Sequence, residues 1–241
     1  MYKSLFTLYL LLHFIGDFIL QTDKISKKVE DYKHLLLQNL MYCVPFFVAS
    51  VFVKYPAEWL IQATIVCAAH LVVDSIKHFI IKGKVAIGPL PYIVDQSSHL
   101  AILAVMTFFT RQYWCSVDAA KWIHQVVSIL EIEGMDALAW ICIIIAIWKP
   151  ANFTIRQVLA KYKPHTEENS IVKAGAMIGT LERIIMVLLL GMGQYGAIAL
   201  VLTAKSIARY DMLKDRVFAE YYLLGTLLST LLVLLVFITL G

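Results

Sequence analysis

The chain has 241 residues, 60% of them hydrophobic and 16% charged, with a formal net charge of +4 and a mean hydropathy of +0.75. Soluble domains run at about 45–50% apolar and about 25% charged, and a chain this size has too little interior to hide so much apolar surface from water. The composition excludes a soluble enzyme, a secreted disulfide scaffold and a disordered chain, and predicts an all-α, polytopic helical membrane protein. The four cysteines (Cys43, Cys67, Cys115 and Cys142) are scattered without a C-x-x-C spacing, so they read as small hydrophobes.

A spanning helix needs roughly 20 mostly apolar residues. About eight spans are predicted, over 4–20, 35–53, 59–80, 95–110, 135–148, 178–192, 196–209 and 218–240. The segment 119–130 is apolar enough to dip into the interface beside the fifth. The first span is not read as a cleavable leader, because His13 and Asp17 lie in its body and no small-residue cleavage site follows. Between spans five and six, Ile155, Val158, Leu159 and Tyr162 recur at helical spacing beside Arg156 and Lys161. That pattern fits either a basic amphipathic helix on the cytoplasmic leaflet or an ordinary solvated connector. The resulting organisation is an N-terminal bundle (1–148), a basic linker (149–177) and a C-terminal three-helix segment (178–241).

The loops differ in Lys and Arg content. Lys24, Lys27, Lys28 and Lys33 follow span one, and Lys82 and Lys84 follow span three. Lys149, Arg156, Lys161, Lys163 and Lys173 follow span five, and Lys205, Arg209, Lys214 and Arg216 close span seven. With eight spans these fifteen share one side, against Lys3, Lys54, Arg111 and Lys121 on the other. The bias places the fifteen in the cytoplasm and both termini outside it.

Ionisable groups recur inside the spans. Span one carries His13 and Asp17 in LHFIGD, span three His70 and Asp74 in HLVVD, and span four opens with Asp95 and His99 in DQSSH. Each pair is spaced i, i+4, so both side chains leave one helix face about 40° apart. Singly, such a pair is explained by a hydrogen bond to a neighbouring helix, and Asp95 by a helix cap. Together, three Asp and Lys77 would cost on the order of 10 kcal/mol if buried deep and unpaired. The predicted topology puts all three pairs in the cytoplasmic half of the bilayer, with His34 at a similar level. Three His and three Asp suit one or two divalent ions, zinc ahead of manganese or iron. Lys77 and His34 are the candidate catalytic groups, Lys77 as a stabiliser of an anionic substrate or, in the plainer account, as a salt-bridge partner. A metal-free polar or proton-relay network is the competing reading.

In the C-terminal segment, Glu182 and Arg183 lie inside span six, Lys205 and Arg209 end span seven, and Glu220, Tyr221 and Tyr222 open span eight. The structural account is a network in which Glu220 and Lys205 serve Arg183 and Glu182, with the tyrosines in an interfacial belt. The functional account is a basic pocket of Arg183, Lys205 and Arg209 for an anionic head group.

LHFIGDFILQTDK, HLVVDSIKH, DQSSHL, GTLER, TAKSIAR and AEYYLLGTLLS together resemble an uncharacterised bacterial membrane-protein family, the domain of unknown function numbered 3307. The resemblance implies a multi-pass protein of the bacterial inner membrane and brings no activity with it. The His-x-x-x-Asp pairs are also similar, in local spacing alone, to the metal site of cation-diffusion zinc transporters and to the histidine-rich sites of intramembrane metal hydrolases.

Three functions follow as expectations. The first is a metal-dependent hydrolase acting on a lipid or lipid-linked phosphate from the cytoplasmic side. The second is a divalent-cation transporter, which needs polar groups along a path to the far side; the stretches FFVASVFV, AILAVMTFFT and LLVLLVFITL offer few. The third is a structural or partner-regulating protein whose pairs only staple helices. The bilayer is the expected partner, and no nucleic-acid signature is present. His124 and His165 stand outside the pairs and serve as controls.

Overall fold

A computed structural model describes residues 2–21, 32–81, 89–113, 119–123, 125, 134–162 and 172–241. It is all-α, as expected. Six of the fifteen basic residues that fix the predicted orientation (Lys24, Lys27, Lys28, Lys82, Lys84 and Lys163), together with Cys115, His124 and His165, lie outside the described residues, as does half of 119–130.

The chain divides into two compact units, Met1–Ile145 and Ala146–Gly241. In the first, α1 (Tyr2–Phe14) continues directly into a π-helical stretch, Ile15–Leu20. It is followed by α2 (Tyr32–Val48), which ends in a 3-10 turn at Ala49–Val51, then α3 (Pro56–Ile81) and α4 (Pro89–Tyr113). Helix α5 (Gly134–Ile147) runs to the boundary. Helices α1, α2, α3 and α4 pack as α1 on α4, α2 on α3 and α3 on α4, with the π-helical stretch against α2. Their shared core holds Tyr9, Tyr42, Phe46, Trp59, Val66, Leu103 and Met106. Tyr9 stacks on Trp59 at 5.4 Å, and the Trp59 indole N–H donates to the Phe46 carbonyl at 2.8 Å, so this large ring is buried without an unpaired donor. Ahead of residue 126, the Ala120 N–H donates to the Phe52 carbonyl and the Trp122 indole to the Val51 carbonyl, tying this segment to the end of α2.

The second unit contains α6 (Lys149–Val158), α7 (Val172–Gly191), α8 (Tyr195–Ile207) and α9 (Arg216–Leu240). Pro150 sits in the first turn of α6, where its missing N–H costs no hydrogen bond. Helix α7 stops at Gly193, whose φ of 69° is open to glycine; Gln194 N–H donates to Leu189 O and Gly193 N–H to Leu190 O, closing the end. Asp215 caps α9 by accepting from the Phe218 N–H at 2.9 Å.

Among the described residues, six stretches are long and apolar enough to cross a membrane: Lys3–Leu20, Tyr32–Val51, Pro56–Ile80, Pro89–Tyr113, Ala137–Val158 and Arg216–Leu240. One feature differs from the sequence reading. The expected fifth span is extended by α6, so the residues assigned to the start of a basic linker join a run of 22 residues that is apolar enough to cross. The expected seventh span, 196–209, is a 13-residue helix of about 20 Å at 1.5 Å per residue, as short as the sequence makes it.

Candidate metal centre

Four helices bring the site together. Helices α1 and α3 reach it with their C-terminal halves, α4 with its N-terminal half and α2 with its middle. The cause is visible in the sequence: each helix carries a short block of polar residues within a largely apolar run, and these blocks meet where the helices pack.

The i, i+4 partners do come near one another on α1 and α3. His13 Nε2 lies 4.0 Å from an Asp17 oxygen, and His70 Nδ1 lies 3.7 Å from an Asp74 oxygen. Contacts between helices are as close. His70 Nε2 stands 3.3 Å from Asp17 Oδ1, and His99 Nε2 stands 3.9 Å from Asp74 Oδ1. Two overlapping groups result, His13–Asp17–His70 and His70–Asp74–His99, each with one ligand atom per residue inside 4.8 Å of the others. Ligand atoms around a tetrahedral zinc lie about 3.4 Å apart for bonds of about 2.1 Å, so a small contraction would complete either group. His70 belongs to both. Its Nδ1 is 3.2 Å from Asn39 Oδ1, which leaves Nε2 as the nitrogen facing Asp17 and His13. One lone pair cannot serve two ions, so the arrangement fits one ion better than two.

Packing holds these rings in place. His70 is sandwiched between Tyr42, stacked at 3.6 Å, and His99, stacked at 4.3 Å. His13 faces the Tyr42 hydroxyl through Nδ1 at 3.4 Å and Gln96 Oε1 through Nε2 at 3.3 Å. Its ring is fully buried; His70 is 1% exposed and His99 2%. His99 is the exception in bonding, since neither of its buried nitrogens has a hydrogen-bond partner among the described residues. Such a group ordinarily costs about 1–3 kcal/mol.

Asp17 is aimed by backbone rather than by spacing alone. It sits in the π-helical stretch, where a widened turn shifts the register of everything after Phe14. Gly16 permits the contact with α2: a Cβ there would lie 2.8 Å from Tyr42 Cδ2 and 3.1 Å from the Tyr42 backbone. The Asp17 carboxylate also accepts from Gln21 Nε2 at 3.0 Å and Gln96 Nε2 at 3.4 Å.

Asp95 does not join either group. Lys77 takes it, donating to Asp95 Oδ1 at 2.8 Å and to Asp74 Oδ1 at 2.9 Å. The lysine is 37% exposed while Asp74 is nearly buried, so this bridge marks the open edge of the cluster. His34 also stands apart from both groups, with its buried Nδ1 unpartnered among the described residues. Sequence reasoning missed Asn39, Tyr42 and Gln96, neutral residues whose presence next to the pairs carries no charge signal.

It also missed a second polar layer. The Tyr9 hydroxyl donates to Gln62 Oε1 at 2.7 Å and lies 3.2 Å from Thr110 Oγ1, which in turn donates to Gln62 at 3.4 Å. These groups lie along the same helices, one turn before His13 on α1 and toward the opposite end of the bundle on α3 and α4. A glutamine inside the apolar run LIQATIV was the available signal.

In the second unit, Lys205 pairs with Glu182 at 2.6 Å, and Lys205 and Arg209 both lie over the Tyr222 ring. Glu220 does not serve this network as expected. It pairs with Arg216 at 3.1 Å on an exposed helix face, four residues away. Arg183 is buried and bonded to neutral acceptors.

No curated protein and no solved structure matches the chain. A family model does match, over residues 5–130, and its description is a protein of unknown function, DUF3307. The matched segment runs from α1 past α4 and contains all three His/Asp pairs, while GTLER, TAKSIAR and AEYYLLGTLLS fall beyond it. The match covers just over half of the 241 residues, so the chain belongs to the DUF3307 family.

Proposed function

We propose that the N-terminal unit is a membrane-embedded divalent-metal centre, zinc ahead of manganese or iron, that hydrolyses a lipid or lipid-linked phosphate from the cytoplasmic side of the bacterial inner membrane. In this reading the chain crosses the bilayer eight times, α8 making a short crossing, with both termini outside the cytoplasm and the Lys77 edge facing inward. His99 carries the proposal: it is a buried imidazole whose two nitrogens have no hydrogen-bond partner among the described residues, beside His70, His13 and Asp74, which is what a ligand set looks like from one side. His13, Asp17 and His70 with Asp74 and His99 would hold the ion, which when bound would polarise a phosphoryl oxygen. Lys77, tethered at the exposed edge, is placed to meet the anionic end of a substrate, and Asp95 holds it there.

Elemental analysis of purified, detergent-solubilised protein tests the site. Wild type should carry about one equivalent of zinc, and His99→Ala and Asp17→Asn should lose it while staying folded. Phosphate release from short-chain lipid phosphates should fall with the metal. Metal-free wild type that cannot be reloaded would overturn the centre, and loaded protein without phosphate release would overturn the hydrolase.

One observation favours a second reading, cation transport. The Tyr9–Gln62–Thr110 layer gives the far half of the bundle polar groups that the sequence reading had denied it. Zinc flux into proteoliposomes, abolished by His99→Ala, would replace the hydrolase with a transporter.

A further inference from the structure

Arg183, in α7, is only 1% exposed. Its Nε donates to the Ile147 carbonyl at 2.7 Å, one Nη to Ser229 Oγ at 3.2 Å, and the other to Asn152 Oδ1 at 2.6 Å and Thr180 Oγ1 at 3.3 Å. These acceptors satisfy its hydrogen bonds and supply no negative charge. Among the described residues no carboxylate pairs with it, because the adjacent Glu182 is held by Lys205. A guanidinium cannot shed its proton to escape this environment, and the Glu182 carboxylate next to it, shared with Lys205, offsets its charge only in part, which leaves room for a counter-ion from outside the protein.

A groove of about 240 Å³ lies next to it, lined by Trp148, Asn152, Ala176, Met177, Thr180 and Leu181. Asn152 and Thr180 are the two side chains that hold one Arg183 nitrogen, and they bond to each other at 2.7 Å. One wall of the groove is therefore the polar shell of a buried cation. The rest is apolar, with Trp148, Met177 and Leu181 exposed. Gly179 adds room on the other Nη, since a Cβ there would come within 3.3 Å of it.

Thr180 Oγ1 accepts from Asn152 and Arg183 and gives its own proton to the Ala176 carbonyl, so the Asn152 amide, with one Nδ2 hydrogen left over, is the donor on this wall. We propose that this groove seats a phosphate anion, drawn by the Arg183 charge and contacted through Asn152 Nδ2. The apolar walls make a phospholipid head group the fitting source, and free phosphate shares the same chemistry. The site rests on residues of the second unit and is independent of the metal centre.

Full-length protein is exchanged into lipid-free detergent, and its phosphorus is measured in the organic and aqueous phases after solvent extraction. Arg183→Met removes the charge and keeps an apolar stem. Ala176→Phe fills the groove and leaves the guanidinium and its acceptors in place. Wild type should retain about one phosphorus per chain in the organic phase, with affinity for added phosphatidylglycerol roughly tenfold weaker in either variant. Retention in the aqueous phase, lost in the same variants, supports the phosphate site with the free ion as its occupant. If Arg183→Met fails to fold, Ala176→Phe decides. Folded variants that bind phosphatidylglycerol as wild type does, or wild type that takes up neither lipid nor inorganic phosphate, would overturn the proposal.

Discussion

Replacing His99 by leucine separates a ligand from a staple, because the two roles move stability in opposite directions. Leucine has a similar volume and no polar atoms. In metal-free protein the change removes a buried ring whose nitrogens lack hydrogen-bond partners among the described residues, a gain of about 1–3 kcal/mol. For a chain of 150–250 residues each kcal/mol moves the unfolding midpoint by about 2–4 °C, so the variant should melt higher than wild type in EDTA. In zinc the order should reverse. A ligand present at a hundred times its Kd stabilises the protein by about 2.7 kcal/mol, and each tenfold loss of affinity removes about 1.4 kcal/mol of that. Wild type should therefore rise on adding zinc, and His99→Leu should respond weakly. The assay is thermal unfolding in detergent, with and without zinc, for both proteins. A variant that melts lower than wild type in EDTA and shows the full zinc shift would refute the reasoning, because His99 would then be held by contacts of its own.

Gly16→Ala should destabilise the first unit by about 1–3 kcal/mol, since the new methyl meets Tyr42 backbone atoms that cannot swing aside; a midpoint equal to wild type would show that α1 can retreat freely. Gln62→Leu should cost about 1–3 kcal/mol by leaving the Tyr9 and Thr110 hydroxyls without their shared acceptor, while the zinc shift stays intact; loss of that shift would join the two polar layers into one site. Lys77→Met should leave zinc content unchanged and reduce phosphate release, and a variant with full turnover would remove the lysine from the reaction. Glu220→Gln, at an exposed pair, should change stability by no more than about 0.5 kcal/mol in unfolding measurements.

The pairs His13/Asp17 and His70/Asp74 were legible because charge inside an apolar span is costly and therefore informative. What the spacing could not give was which residues meet across helices. Asp17 lies closer to His70 than to His13, and Asp95 is turned to Lys77, since those choices depend on helix rotation. The π-helical stretch was hidden for the same reason, although Gly16 in FIGDF hinted at a close crossing. Helix existence was readable from hydropathy throughout. The join of α5 to α6 was not, because Lys149 and Pro150 look like the end of a span when only composition is weighed. Glu220 was assigned to the Arg183 and Glu182 network on charge complementarity, yet Arg216, four residues earlier on the same helix, offered a nearer partner.

The widened turn at Ile15–Leu20 makes the site a matter of counting as well as chemistry. A π-helical turn amounts to one residue more than an α-helix would use on the same path. Deleting Ile15 would let the segment relax to regular α-helix, with the histidine and the aspartate then spaced i, i+3 and leaving the axis about 60° apart. The number of residues between His13 and Asp17 therefore sets how the two side chains face α2 and α3 as much as their identity does.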